Sequence, residues 1–285
     1  MRPRAVLPAL LAVLALCACA ADQGASYREY AAMLAADGGL RSDTAPADAP
    51  FTNADLAMDF GRIALFREYR RDDDGRLVQE LTPTRISRWT DPIRYQIVGA
   101  GATEADRAEY AMLARRIGAL TGLDLAETSG APNLSILILG PSERYAFIQA
   151  LEEDGAAARL PLVLQWAGDV AYPCIGQVGY DDAESGRISG AMIMIKAELD
   201  GMLRRSCIHE ELAQTLGLMN DDPDVRPSIF NDDQEFALLT EHDEYLLRIL
   251  YHPRLRPGMT AEEALPLVAG IVDELRPGGA DPAAE

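Results

Sequence analysis

Hydrophobic periodicity organises the chain from about residue 50 onward. Ile93, Tyr95 and Ile97 alternate with polar residues between Pro92 and Gly99, and a period of two predicts a strand. Tyr110, Leu113, Ala114, Ile117 and Leu120 then recur at helical spacing and predict a helix over Thr103 to Thr121. Thr103 with Asp106 makes a capping box at its start, and Gly122 stops it. Asn133 to Gly140 is a short apolar run, read as a buried strand, and Ser142 to Leu151 as a helix. Gly190 to Lys196 reads as a strand at the sheet edge and Leu199 to Leu218 as a helix. Thr240 to Tyr251 is a further helix that Pro253 ends. Thr260 with Glu263 caps a last helix, in which Pro266 marks a bend. Upstream, Leu56, Phe60, Ile63, Ala64 and Phe66 have mixed helical spacing that fits a helix, or a helix running into a strand, and Arg71 to Gly75 fits a solvated turn. This order of strands and helices predicts an α/β (α+β) fold, a mixed sheet with helices packed on it. It occupies one globular domain over residues 51–276, followed by a disordered tail over 277–285.

The first residues follow another pattern. Arg2 and Arg4 precede an apolar run from Ala5 to Leu16, too short to cross about 30 Å of hydrocarbon. The run ends in Leu16-Cys17-Ala18-Cys19, which resembles a bacterial lipobox. The resemblance implies a signal peptide over residues 1–18 and a lipid on Cys19, with Cys17 a poorer fit. An ordinary signal peptide cut after Ala20 is the alternative. Residues 19–50, rich in Ala, Asp and Gly, read as a flexible tether. The expected location is the cell envelope, facing the periplasm, with the membrane reached through the lipid. Ala20 after Cys19 favours the outer membrane.

Composition narrows the partners. The chain carries 45 acidic against 26 basic residues, which argues against nucleic acid as a partner. There are 3 histidines, His209, His242 and His252, too few for most metal or triad schemes. His209 is read as a surface or packing residue and His242 as solvent-facing. Trp89 and Trp166 are read as core or edge aromatics. In an exported chain the remaining cysteines, Cys174 and Cys207, are expected to pair. A thiolate ligand or nucleophile is the alternative. The bridge would pin the helix after Cys207 to the loop around Cys174.

That helix carries the informative motif. Glu210-Glu211-Leu212-Ala213-Gln214 continues through Gly217 to Asn220 as E-E-x-x-Q-x-x-G-x-x-N. It resembles the metzincin metalloprotease motif H-E-x-x-H-x-x-G-x-x-H position for position. Glu211 and the turn glycine Gly217 are kept, and Glu210, Gln214 and Asn220 replace the histidines. Downstream, Ser228-Ile229-Phe230 resembles the metzincin turn, with Phe230 in place of methionine. The resemblance implies a mixed twisted sheet, an active-site-type helix and C-terminal helices. The chain also resembles a bacterial family catalogued as domain of unknown function 2927, most of whose members are predicted to be exported. Arg88-Trp89 with Pro92-Ile93, Cys207 leading into Glu210 to Gln214, and Gly217 to Asp221 carry that match.

Starting the zinc motif at His209 would put Ala213 at the second ligand position, so that register fails. In the register that fits, Gln214 and Asn220 offer neutral amide oxygens, with Asp221 as a substitute carboxylate. No cofactor is expected, and no metal at Glu210, Gln214, Asn220 and Asp221. These residues instead form a hydrogen-bonded cluster, with Gln214 donating to Glu210 or Glu211. An oxygen-only set would still suit a hard divalent cation better than zinc. The reading is a non-catalytic envelope lipoprotein that binds a peptide or protein partner. The alternative is a metal-dependent hydrolase with Glu211 as general base.

Overall fold

A computed structural model describes residues 23–71, 77–157, 160–182 and 184–279. Cys17, Cys19 and the signal peptide lie outside the described residues, as do most of the Arg71–Gly75 turn and the tail beyond residue 279.

The first described segment departs from the expected tether. Residues 23–36 form helix α1, and Arg41 bridges to Phe236 in parallel. Tyr27 and Leu40 are buried. Gly24, Tyr27, Ala31 and Leu34 recur at helical spacing and face the domain, but glycine and alanine give that stripe little apolar contrast. Next come α2 (Asn53–Ala64) and a hairpin of β1 (Phe66–Arg71) with β2 (Leu77–Pro83), which is a sheet of its own. The mixed helix-then-strand pattern around Leu56 to Phe66 is explained by this junction.

The main sheet is built from β3 (Arg88–Trp89), β4 (Ile93–Val98), β5 (Leu125–Glu127), β6 (Leu134–Leu139), β7 (Cys174–Tyr180) and β8 (Arg187–Lys196). Its order is β5-β4-β6-β8-β7, with β3 pairing only Arg187 and Ile188 at the start of β8. The β4–β5, β4–β6 and β6–β8 pairs are parallel, and β7 runs antiparallel to β8. The α/β class is as expected. The edge is not: β8 lies between β6 and β7, and β7 is the edge strand. The glycines of β7, Gly176 and Gly179, break any apolar alternation, and the sequence around Cys174 therefore reads as a loop where the structure has a strand.

Helix α3 (Glu104–Thr121) connects β4 to β5. Thr103 and Asp106 make the expected capping box, and Gly122 closes the helix with φ 78°. On one face of the sheet, α3, α6 (Gly201–Thr215), α7 (Glu241–Leu250) and α8 (Ala261–Leu275) pack with α2 around the main core. On the other face, α4 (Pro141–Glu153) and α5 (Pro161–Gly168) cover a smaller core around Trp166. Strand parity assigns residues to the two cores. Ile136 and Ile138 of β6 enter the first, and Leu137 and Leu139 the second. A strand covered on both faces reads as a continuous apolar run, as Asn133 to Gly140 did.

Candidate functional site

Helix α6 and the turn after it form the floor of the site. Beneath them, Arg88-Trp89 of β3 organise three chain ends. Trp89 Nε1 donates to the Thr215 carbonyl at 2.8 Å, and Tyr251 Oη donates to the Leu216 carbonyl at 2.8 Å. Arg88 Nη1 donates to the carbonyls of Leu250 (2.8 Å) and Leu255 (3.0 Å), satisfying acceptors left over where α7 ends. Gly217 then turns the chain with φ 118°, and a Cβ there would sit 1.9 Å from the Ser87 carbonyl oxygen. Only glycine fits this position.

Beyond the turn, Asp221 and not Asn220 faces the site. Asn220 is buried with Nδ2 donating to the Arg62 carbonyl at 3.0 Å, so it ties the turn to α2. The Gln214 amide donates to Asp221 Oδ1 at 3.2 Å, where a bond to Glu210 or Glu211 was expected. Burial and the backbone bonds of Met219 and Asn220 to the Ile63 carbonyl decide which of the two neighbours points inward.

Two residues that motif reading did not reach complete the cluster. Glu68 lies on β1, where the hairpin register shifts between Arg67 and Tyr69, an irregularity that re-aims side chains. Asp232 is held by the loop that Asn231 organises, with Asn231 Nδ2 donating to the Pro223 carbonyl at 2.9 Å. One oxygen each from Glu68, Asp221 and Asp232 lies within 4.8 Å of the others. Only α6 carries a spacing that sequence can read. Glu68 and Asp232 sit in polar segments with no pattern of their own.

Glu68 and Asp221 line a groove of about 640 Å³ between the β1–β2 hairpin and β7, with Glu210, Glu211 and Gln214 on its floor, while Asp232 borders the cavity beside it. A neighbouring cavity of about 550 Å³ shares Glu210 and Glu211 and is walled by Tyr27, Tyr30 and the Cys174–Cys207 bridge. Burial raises the Glu210 carboxyl to about 7, and the nearby Glu68 and Asp232 add to the rise. Glu211 and Asp221 are pushed well above the carboxylate range by burial first and Glu210 second. Among the described residues, none of Glu68, Glu210, Glu211, Asp221 or Asp232 forms an ion pair with arginine or lysine.

Cys174 and Cys207 are bonded, with Cα atoms 5.9 Å apart. Cys207 lies inside α6 and Cys174 opens β7, so the bridge fastens the floor of the groove to its edge strand. The turn with Phe230 is buried below the site. Ser228 Oγ donates to Asp243 Oδ1 at 2.5 Å, and the Ile229 amide donates to Asp243 Oδ2 at 3.1 Å.

The histidines stay outside the cluster. His209 is buried, with Nδ1 accepting from the Leu239 amide at 2.9 Å, which leaves Nε2–H to donate to Glu109 Oε1 at 2.8 Å. His242 is 0% exposed, against the expectation that it faces solvent. Its Nε2 lies 3.1 Å from Asp59 Oδ2, and Phe51 packs edge-on against the ring. The bias toward solvent at a helix start is overridden because α2 and Phe51 cover that face of α7.

The metzincin resemblance implies zinc, and the side chains present do not fit it. The three motif positions hold a carboxylate and two amides, whose neutral oxygens are poor zinc donors, and the Asn220 side chain is tied to the Arg62 carbonyl on α2. Among the described residues, no helix is long and apolar enough to cross a membrane. No curated protein and no solved structure matches the chain. A family model described as a protein of unknown function (DUF2927) matches residues 53–270, from the start of α2 into α8. The match spans both walls and the floor of the groove, and the chain belongs to the DUF2927 family.

Proposed function

We propose that this protein is a non-catalytic binding protein of the cell envelope that holds an extended peptide or protein segment in the groove beside β7. The observation that carries this reading is the edge strand itself. β7 pairs only with β8 among the described strands, and residues from Ile175 to Val178 border the groove. A free edge facing a groove suits strand addition, in which main-chain hydrogen bonds hold the ligand. Gln177 adds a specific acceptor, because its Oε1 is buried without a hydrogen-bond partner. A donor from the ligand would satisfy it. The disulfide supports an oxidising compartment, and with the lipobox-like Cys19 it supports a lipid-anchored envelope location.

The hydrolase alternative needs Glu211 to accept a proton. Burial first and Glu210 second push the Glu211 carboxyl above the usual carboxylate range, which disfavours the ionised form a base needs. The test is a displayed library of random peptides selected on the purified soluble domain. Selected peptides should protect β7 amides from hydrogen exchange and lose affinity in Gln177→Leu. Enrichment of no peptide would sink the reading. Casein cleavage abolished by Glu211→Gln would replace it with the hydrolase.

A further inference from the structure

Only three residues separate Cys19 from Gln23, where α1 begins. Four peptide steps reach no further than about 14 Å, however they are arranged. The start of α1 is in turn fixed to the domain. Gln23 accepts from Arg144, which grips Glu198 with two bonds of 2.7 Å, and Tyr27 Oη donates to the Val170 carbonyl at 2.8 Å. A lipid on Cys19 therefore holds one defined face of the domain against the bilayer, where a flexible tether over residues 19–50 would let the domain turn freely.

The side chains on that face suit the contact. Tyr30 and Met33, three residues apart on α1, are neighbours on one side of the helix and are 40% and 53% exposed. Val170, 48% exposed, lines one cavity with Tyr30. Tyrosine is enriched where a bilayer meets water, since its ring is apolar and its hydroxyl polar. Between Gly24 and Ala36 the helix carries two charged residues, Arg28 and Glu29, and Arg28 pairs with Asp200 at 3.4 Å. In a chain of net charge -19, a surface so sparsely charged is held to lipid by apolar burial and not by attraction to anionic headgroups.

We propose that α1 lies on the bilayer surface with Tyr30, Met33 and Val170 in the headgroup region, so that the anchor and this face together dock the domain in one orientation. The proposal rests on the lipid at Cys19, part of the envelope reading above, and not on peptide binding. A lipid surface is the occupant because the anchor delivers it. At a rise of 1.5 Å per residue, Tyr30 stands only about 10 Å along the helix from Gln23, inside the reach of the short link to Cys19. Docking this way sets the cavity that Tyr30 and Val170 share beside the membrane.

The test uses the full chain, purified from membranes and reconstituted in vesicles of phosphatidylcholine brominated near the headgroup. Tyr30→Trp carries the probe and Leu265→Trp, on α8, is the comparison. The buried Trp89 and Trp166 of the parent supply a background that is subtracted. The chain should float with the vesicles, and bromine should quench tryptophan emission at position 30 but not at position 265. Adding Met33→Glu, at an exposed position, puts a charge into the contact. Quenching at position 30 should then be lost while flotation and the urea midpoint stay the same. A chain that does not float removes the anchor, and this proposal with it. A chain that floats without quenching at position 30, or with equal quenching at both positions, keeps the anchor and overturns the docked face. So does unchanged quenching with Met33→Glu. Emission at position 30 that neither aqueous acrylamide nor bromine quenches would mean that a second copy or a peptide covers the patch, which overturns the proposal too.

Discussion

Gly176 and Glu211 compete for the same space. A Cβ on Gly176 would lie 2.8 Å from Glu211 Oε2 and 3.2 Å from Thr215 Cγ2, so a bare backbone on β7 is what lets the Glu211 carboxylate seat against the strand. Gly176→Ala should destabilise the domain by about 1–3 kcal/mol, the usual cost of an added methyl in packed surroundings. In a Glu211→Ala background the same substitution should cost much less, because the clashing oxygen is gone. Equal costs in both backgrounds, measured by urea denaturation, would show that the glycine serves another purpose. His242 gives a second residue-scale prediction. Burial lowers its affinity for a proton, but the Asp243 and Asp59 carboxylates outweigh burial, and the net shift is upward from 6.5. The imidazolium is therefore favoured in the folded state. Its contribution to stability is fully present below pH 6.5 and is lost as pH rises through the folded value. An imidazole titration followed by NMR should have its midpoint above 6.5 and fall in Asp59→Asn. A wild-type midpoint below 6.5 would contradict the ion pair.

At the scale of elements, the chain's local signals were readable where the backbone is organised by its own neighbours. Thr103, Thr240 and Thr260 each accept from the amide three residues on, and all three helices start where those caps predict. The strand around Ile93 and the buried strand at Leu134 were equally plain, since parity and apolar runs report directly on which faces are covered. The β1–β2 hairpin was not readable, because Phe66, Tyr69, Leu77, Val78 and Leu81 keep no period of two and their sheet has only each other. β7 was hidden for a related reason, since it carries glycine where Glu211 must approach. The disulfide follows by elimination once export is expected, but its mechanical sense needed the strand. It joins residues 33 apart and holds the floor helix against the edge strand. Groove width is therefore set by a covalent link on one side and by the hairpin on the other.

For the whole molecule, the acidic cluster and the N-terminal segment share one lesson. Both are made by contacts between distant positions, and no window of sequence contains them. Residues 23–50 read as a tether because they are rich in Ala, Asp and Gly, yet they are held to the domain at several points. Tyr27 Oη donates to the Val170 carbonyl at 2.8 Å, beside the second cavity. Gln23 accepts from Arg144 at 3.1 Å, while Arg144 grips Glu198 with two bonds of 2.7 Å. The Leu40 and Arg41 amides donate to the carbonyls of Gln234 and Glu235, each at 2.8 Å, and the Ala237 amide returns a bond to Arg41 at 2.9 Å. Arg41 then pairs with Asp43, Asp48 and Glu235, and its guanidinium lies 4.7 Å from the Phe236 ring centroid. The exposed ion pairs contribute little individually, but Tyr27 and Leu40 are buried side chains worth about 1.5–3 kcal/mol each. Part of that is offset by the entropy of ordering the segment. A chain beginning at residue 51 retains every element from α2 onward, so it should fold with unchanged sheet content. It should nonetheless lose roughly 2–4 kcal/mol in urea denaturation. Amide exchange should accelerate at 234–237, the stretch that Arg41 pairs with, and this stretch adjoins Asp232. The segment therefore braces the loop that carries one of the cluster's carboxylates. An unchanged denaturation midpoint in the truncated chain would show that residues 23–50 rest on the domain without supporting it.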